Sequence, residues 1–301
     1  MNRFVFLFCF AILSAGVWST SAQPTVGSAF IETVSKRIYD KAADNSTSQH
    51  AIKKFCDVEK SAFARRVFIE YGAMFVASKD VKLPDVCYFS DFEATKKFQL
   101  TLRTRTILMD GEEIKLQEPA MNALIKVIDE ALAVNIRVAP FDGAIAASRN
   151  YGDTVVIWNS RFEPALKYWV QRGGIAPEDA TQAVTMPIEH RVEKIIEWES
   201  RGMWFGTGRS GSIFSSTAPP GSSQHLSLLA FDVAGRPSAQ LISILNANGW
   251  FQTVKGDSQH FTYLGLKETE LMVRGLRPSY SGGMKYWIPD LAFSQVPVRP
   301  D

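Results

Sequence analysis

The sequence predicts an α+β protein: a small, mainly antiparallel sheet flanked by helices, with an N-terminal helical extension. Three observations carry that expectation. Helical and strand-like segments follow one another without the strand–helix–strand rhythm of a parallel sheet. Met121, Leu124, Ile125, Ile128 and Leu132 recur at steps of three and four, the mark of an amphipathic helix. Asp110-Gly111 sits between two strand-like runs, 101–109 and 112–116, where a tight hairpin turn belongs.

The chain opens as an export signal would. Arg3 precedes an apolar run from Phe4 to Val17, and Thr20-Ser21-Ala22 supplies small residues before a cut. A membrane span needs ~20 apolar residues, more than this run holds. Residues 1–22 are therefore expected to be a signal peptide, and the mature chain to be exported, periplasmic or extracellular, with no membrane span after signal removal. Residues 23–50 read as a partly ordered arm. Residues 51–78 carry an imperfect helical stripe through Ile52, Phe55, Val58, Phe63, Val67 and Ile69. Asp91 is placed to cap a helix reaching Phe98.

After the hairpin, Pro119 opens the striped helix. Asn135 to Ala139 reads as a short strand. Trp158, Phe162, Ala165 and Trp169 mark a helix ended by Gly173-Gly174, and 177–198 is helical in two pieces around Pro187. Ser210 to Ser223 is a loop. Strands are expected at 228–233, 250–254 and 260–264, a helix at 237–246, and a small hairpin around Ser281-Gly282-Gly283 before a tail. In domain terms, 23–115 forms an extension of undefined role and 116–301 carries the chemistry.

Charge excludes one class of partner. With 33 basic against 31 acidic side chains and no basic block, a nucleic-acid partner is not expected. Cys56 and Cys87, the cysteines beyond the signal, read as a disulfide in an exported protein.

Four histidines occur in the chain, and two lie in informative stretches. His225 and Asp232 are seven positions apart, and Asp257 precedes His260 by three. Two imidazoles, a carboxylate ligand and a spare carboxylate are the parts of a catalytic zinc centre. His190, among Glu189, Arg191 and Glu193, reads as a surface residue. Seven residues of extended strand span ~23 Å, so His225 and Asp232 meet one ion only if the chain bends sharply between them. From Leu228 onward, Ala230 and Asp232 would share one strand face, with Leu229, Phe231 and Val233 facing the core. His260 would arrive from a neighbouring strand.

The run Ser223-x-His225-x-x-Leu228-x-Ala230-x-Asp232 resembles the Ser-x-His-x-x-Gly-x-Ala-x-Asp signature of zinc D-Ala-D-Ala carboxypeptidases, in the lysostaphin, D-Ala-D-Ala metallopeptidase and hedgehog-like group. Pro219-Pro220-Gly221 is similar to the turn before that signature, Asp257-x-x-His260 to the group's second motif, and Arg149-Asn150-Tyr151 to its Arg-Ser-Tyr segment. The resemblance covers about Leu116 to Gly265. It implies zinc bound by His225, Asp232 and His260, with Asp257 as the base that takes a proton from zinc-bound water. It implies Arg149 as a catalytic or substrate-binding group, Ser223 as a substrate contact, and peptidoglycan stem peptides as substrate. Four positions depart: Leu228 stands where the group has glycine, Asp257 where many members have glutamate, Gln259 where an aromatic residue or proline is common, and Thr154 where the Tyr-x-x-Gln part of the Arg segment has glutamine. Two alternatives stay open, a peptidoglycan endopeptidase of the L-Ala-D-Glu type and a non-catalytic zinc-containing wall-binding protein.

Overall fold

A computed structural model describes residues 28–38 and 52–291. The expected signal peptide, the polar arm apart from 28–38 and the last residues of the tail lie outside the described residues. The architecture is α+β. A three-stranded antiparallel sheet, built in spatial order from residues 230–232, 260–263 and 250–251, stands beside two separate hairpins, and helices cover them. No described helix is long and apolar enough to cross a membrane.

Helix α1 (Ser28–Ile38) occupies part of the expected arm and buries Phe30 and Val34. The single helix expected over 51–78 is broken. Residues 52–55 are helical, the chain then turns, and α2 (Ala62–Tyr71) begins where the Ser61 side chain accepts from the Ala64 amide. A short 3-10 turn, Gly72–Val76, follows. The break falls where the stripe loses its period, next to the Cys56–Cys87 disulfide. Asp91 caps α3 (Phe92–Gln99) by accepting from Ala94 N at 2.8 Å. Hairpin β1 (Thr104–Met109) and β2 (Glu112–Gln117) closes through Asp110 and Gly111, both at positive φ, as a two-residue turn between twisted strands requires. Residues 115 and 116, on either side of the boundary drawn from sequence, are neighbours inside β2.

Helix α4 (Glu118–Ala133) starts on Pro119, but its buried face is rotated from the expected stripe. Ala120, Met121, Leu124, Val127 and Ala131 are buried, while Leu132 is 68% exposed. Residues 135–139 form no strand. The chain turns at Asn135, at φ 60°, and leads to Pro140, which makes an isolated bridge with Val233; proline has no N–H with which to continue a ladder. Helix α5 (Tyr151–Gln171) opens on an Asn150/Asp153 capping box. Helices α6 (Pro177–Thr185) and α7 (Ile188–Ser200) flank Pro187, with His190 exposed on α7.

Strands β3 (Ala230–Asp232), β4 (Trp250–Phe251) and β5 (His260–Tyr263) are shorter than their sequence segments suggest. Helix α8 (Ala239–Ala247) is capped by Ser238 between β3 and β4. The short α9 (Glu268–Leu271) precedes hairpin β6 (Leu276–Ser281) and β7 (Met284–Pro289). Phe231, Phe261 and Trp250 from the sheet share one buried cluster with Phe30, Phe55 and Phe68 from the N-terminal helices. A second cluster joins α2, α5, α6 and α7 through Val67, Trp158, Phe162, Ala183 and Trp198.

Candidate metal centre

The bend demanded between His225 and Asp232 is present. Residues Gln224–Ser227 form one 3-10 turn, and Leu228 ends it in the left-handed region at φ 53°, ψ 38°. This conformation costs a leucine about 1–2 kcal/mol more than a glycine. Two backbone bonds hold it: Leu228 N donates to His225 O, and Leu228 O accepts from Gln117 N, each at 3.1 Å. The Gln117 side chain fastens the same turn by donating to Ser227 O at 2.8 Å. The Leu228 side chain is 3% exposed, so its apolar burial offsets the strained backbone.

From Ala230 the chain is extended, and β3 pairs antiparallel with β5 so that Asp232 lies opposite His260 and Ala230 opposite Thr262. Alternation gives this small sheet two unlike faces. Phe231 and Phe261 point into the apolar core, and Asp232, His260 and Thr262 share the other side.

On that side three ligand atoms converge within 4.8 Å of one another. His225 Nε2 lies 3.2 Å from His260 Nδ1 and 3.2 Å from Asp232 Oδ2, and His260 Nδ1 lies 2.9 Å from Asp232 Oδ1. All three residues are buried. The distal nitrogens face oxygens: His225 Nδ1 meets Ala147 O at 3.3 Å, and His260 Nε2 meets Gln224 Oε1 at 2.7 Å. A carbonyl oxygen only accepts, so both distal nitrogens donate and both proximal nitrogens are turned toward the carboxylate. Two imidazole lone pairs and a carboxylate brought this close call for a positive charge between them, either a proton or a metal ion. Nitrogen and oxygen donors in this number suit a divalent metal.

The electrostatics agree. Burial, and then the Arg149 guanidinium, push the His225 imidazole down to about 4, so it is neutral near pH 7, as a metal ligand would have to be. Burial alone would raise Asp232, but His225 and His260 outweigh it and hold the carboxyl well below the usual range. Asp232 therefore stays ionised as a ligand must.

The group lies in a cleft of about 620 Å³. Arg149, just ahead of α5, donates from Nη2 to Asp232 Oδ2 at 2.6 Å and from Nε to Ile145 O at 2.9 Å. It is thus engaged with the ligand carboxylate. Ser223 lines the cleft, and no hydrogen bond of its hydroxyl is recorded among the described residues. Asp257 lines it too, in the loop between β4 and β5. Burial pushes its carboxyl above the usual range, and the charge of Asp232 adds to that against the pull of His260. Arg161, about three turns into α5, opens on the same cleft.

All six residues named from sequence therefore line one cavity. Sequence reasoning missed Gln224 and Gln117, which fix the ligand and the bend. Gln224 sits at an unspecified position of the signature, and only the 3-10 turn aims it at His260. Comparison with family models, curated proteins and solved structures found no match.

Proposed function

We propose that the chain is an exported zinc-dependent peptidase acting on bacterial cell-wall peptides, a D-Ala-D-Ala carboxypeptidase. The observation that carries this reading is the meeting of His225 Nε2, His260 Nδ1 and Asp232 on the floor of an open cleft with Asp257 beside them. Zinc held by those three atoms would polarise the scissile carbonyl and lower the pKa of a water molecule toward ~7. Two neutral imidazoles and one carboxylate leave such a site with net positive charge.

The remaining work falls to protein groups. Asp257, made more basic by burial, takes the proton of the attacking water and returns it to the departing amine. Arg149 holds the Asp232 carboxylate in place and brings positive charge to the side where an oxyanion develops. Ser223 offers a hydroxyl to the bound peptide. Arg161 favours a terminal over an internal cut, because among the described residues its guanidinium donates to the Ser160 hydroxyl and pairs with no carboxylate. A guanidinium in that position suits the free carboxylate of a peptide end.

The test uses the purified full chain loaded with zinc and a synthetic stem pentapeptide. Release of one terminal alanine, lost in Asp257→Ala while zinc stoichiometry stays near one, is the expected result. Cleavage inside the stem, or equal cleavage of a C-terminally amidated peptide, would replace this reading with an endopeptidase. Zinc bound without any turnover would point to a wall-binding protein.

A further inference from the structure

Gln224 is 1% exposed beneath the ligand group, and its amide has a defined orientation. Nε2 donates to Tyr71 O at 2.9 Å, at the C-terminal end of α2. Since a backbone carbonyl only accepts, this contact assigns the amide nitrogen to the Tyr71 side and the oxygen to the His260 side. The oxygen accepts from His260 Nε2 and from Thr262 Oγ1. Thr253 Oγ1 lies 3.3 Å from Gln224 Oε1 and 2.7 Å from Thr262 Oγ1, completing a buried polar net. Tyr71 is itself anchored, its hydroxyl placed to donate to Phe214 O at 2.7 Å, with Thr217 O as a second acceptor at 3.0 Å.

We propose that Gln224 is the positioning residue that presents His260 Nδ1 to the ion, and that α2 belongs to the metal centre through it. The chain of cause runs from the Tyr71 carbonyl to the amide orientation, then to the proton on His260 Nε2, then to the exposed Nδ1 electron pair. An acceptor on the far nitrogen of a ligand histidine fixes both its tautomer and its ring angle. Segment 62–71 then has a definite role in the site, although it lies more than a hundred residues from the ligands it serves.

This inference rests on reading His225, Asp232 and His260 as an ion site, and the experiment separates the two. The full chain is stripped with chelator and titrated with zinc against a chromogenic competitor, and the imidazole nitrogens are followed by long-range proton–nitrogen NMR. In the zinc-loaded wild type, His260 should carry its proton on Nε2 and the metal on Nδ1. Gln224→Leu should weaken zinc binding roughly ten- to a hundred-fold and mix the His260 tautomers, and Gln224→Glu, which keeps an acceptor, should restore the Nε2 proton. Wild-type zinc on Nε2 of His260, or Gln224→Leu binding zinc as wild type does, overturns the proposal. The wild-type spectrum decides even if Gln224→Leu does not fold. A wild type that binds no zinc, while His260 Nε2 still donates to Gln224, removes the ion site and leaves only the hydrogen bond.

Discussion

At the scale of single residues, Leu228 carries the sharpest conflict between local and tertiary preference. Its backbone asks for glycine and its surroundings ask for a large apolar side chain. Leu228→Ala forfeits the packing and keeps the strain, at a cost of about 2–5 kcal/mol. Leu228→Gly forfeits slightly more packing but releases about 1–2 kcal/mol of backbone strain. The glycine variant should therefore melt at or above the alanine variant, the reverse of the usual order, in which glycine trails by about 0.5–1 kcal/mol. Thermal melts of the two proteins decide it, and a glycine variant clearly below the alanine one would refute the strain argument. The sequence made the bend a necessity, because spacing alone forbids His225 and Asp232 from meeting along a strand. It did not show what would hold leucine there. That work is done by Gln117, over a hundred positions away, through a contact that no local pattern encodes.

Elements show the same division. Caps and turns were legible because their causes are local: Asp91, Asp110-Gly111, Pro119 and Pro187 each act within a few residues. The orientation of α4 was not, because the β1–β2 hairpin and α8 together select which face is buried, and they choose Val127 and Ala131 over Leu132. Close backbone approach is equally non-local. Gly221, at φ 85°, receives the Phe89 amide on its carbonyl at 2.8 Å, and a Cβ there would stand 2.0 Å from Phe89 O. Gly221→Ala should destabilise by well over the about 1 kcal/mol expected for Gly173→Ala, where φ is 70° and no neighbour lies within 4 Å. Equal losses in urea melts would exclude the clash.

The loop that follows α7 is held by a half-buried carboxylate. Glu199 accepts from Ser212 Oγ at 2.7 Å and Ile213 N at 2.8 Å, yet burial raises it above the ordinary glutamate range. With its folded pKa above the unfolded one, folding takes up a proton here. The stabilisation is complete below the unfolded value and is lost as pH rises through the folded value. Glu199→Gln should therefore gain on wild type in melting temperature as pH rises through and above the ordinary glutamate range. A difference independent of pH would show that the carboxylate is not perturbed.

Over the whole molecule, the N-terminal helices and the sheet share one core, joined by Phe30, Phe68, Phe231 and Phe261. Counting cysteines was enough to expect the Cys56–Cys87 bridge, which closes a separation of 31 residues. On chain entropy it contributes about 3–4 kcal/mol. Replacing both cysteines with alanine should lower unfolding free energy by about that amount and weaken the contact between Phe89 and Gly221 that leads into the ligand turn. Denaturant melts measure the first effect and amide exchange at Phe89 the second. The shared core itself escaped sequence reading, because a helix's apolar stripe does not name its partner.

The register of β3 on β5 has a further consequence. These strands meet over only three residue pairs, and the last of them is Asp232 with His260. A slip of one position would turn one of the two to the opposite face, and the ion would lose a ligand outright instead of being held less well. A metal bound by this group would thus be a clasp that closes on one alignment alone. Its occupancy reports, for each molecule, whether those two strands have been joined correctly.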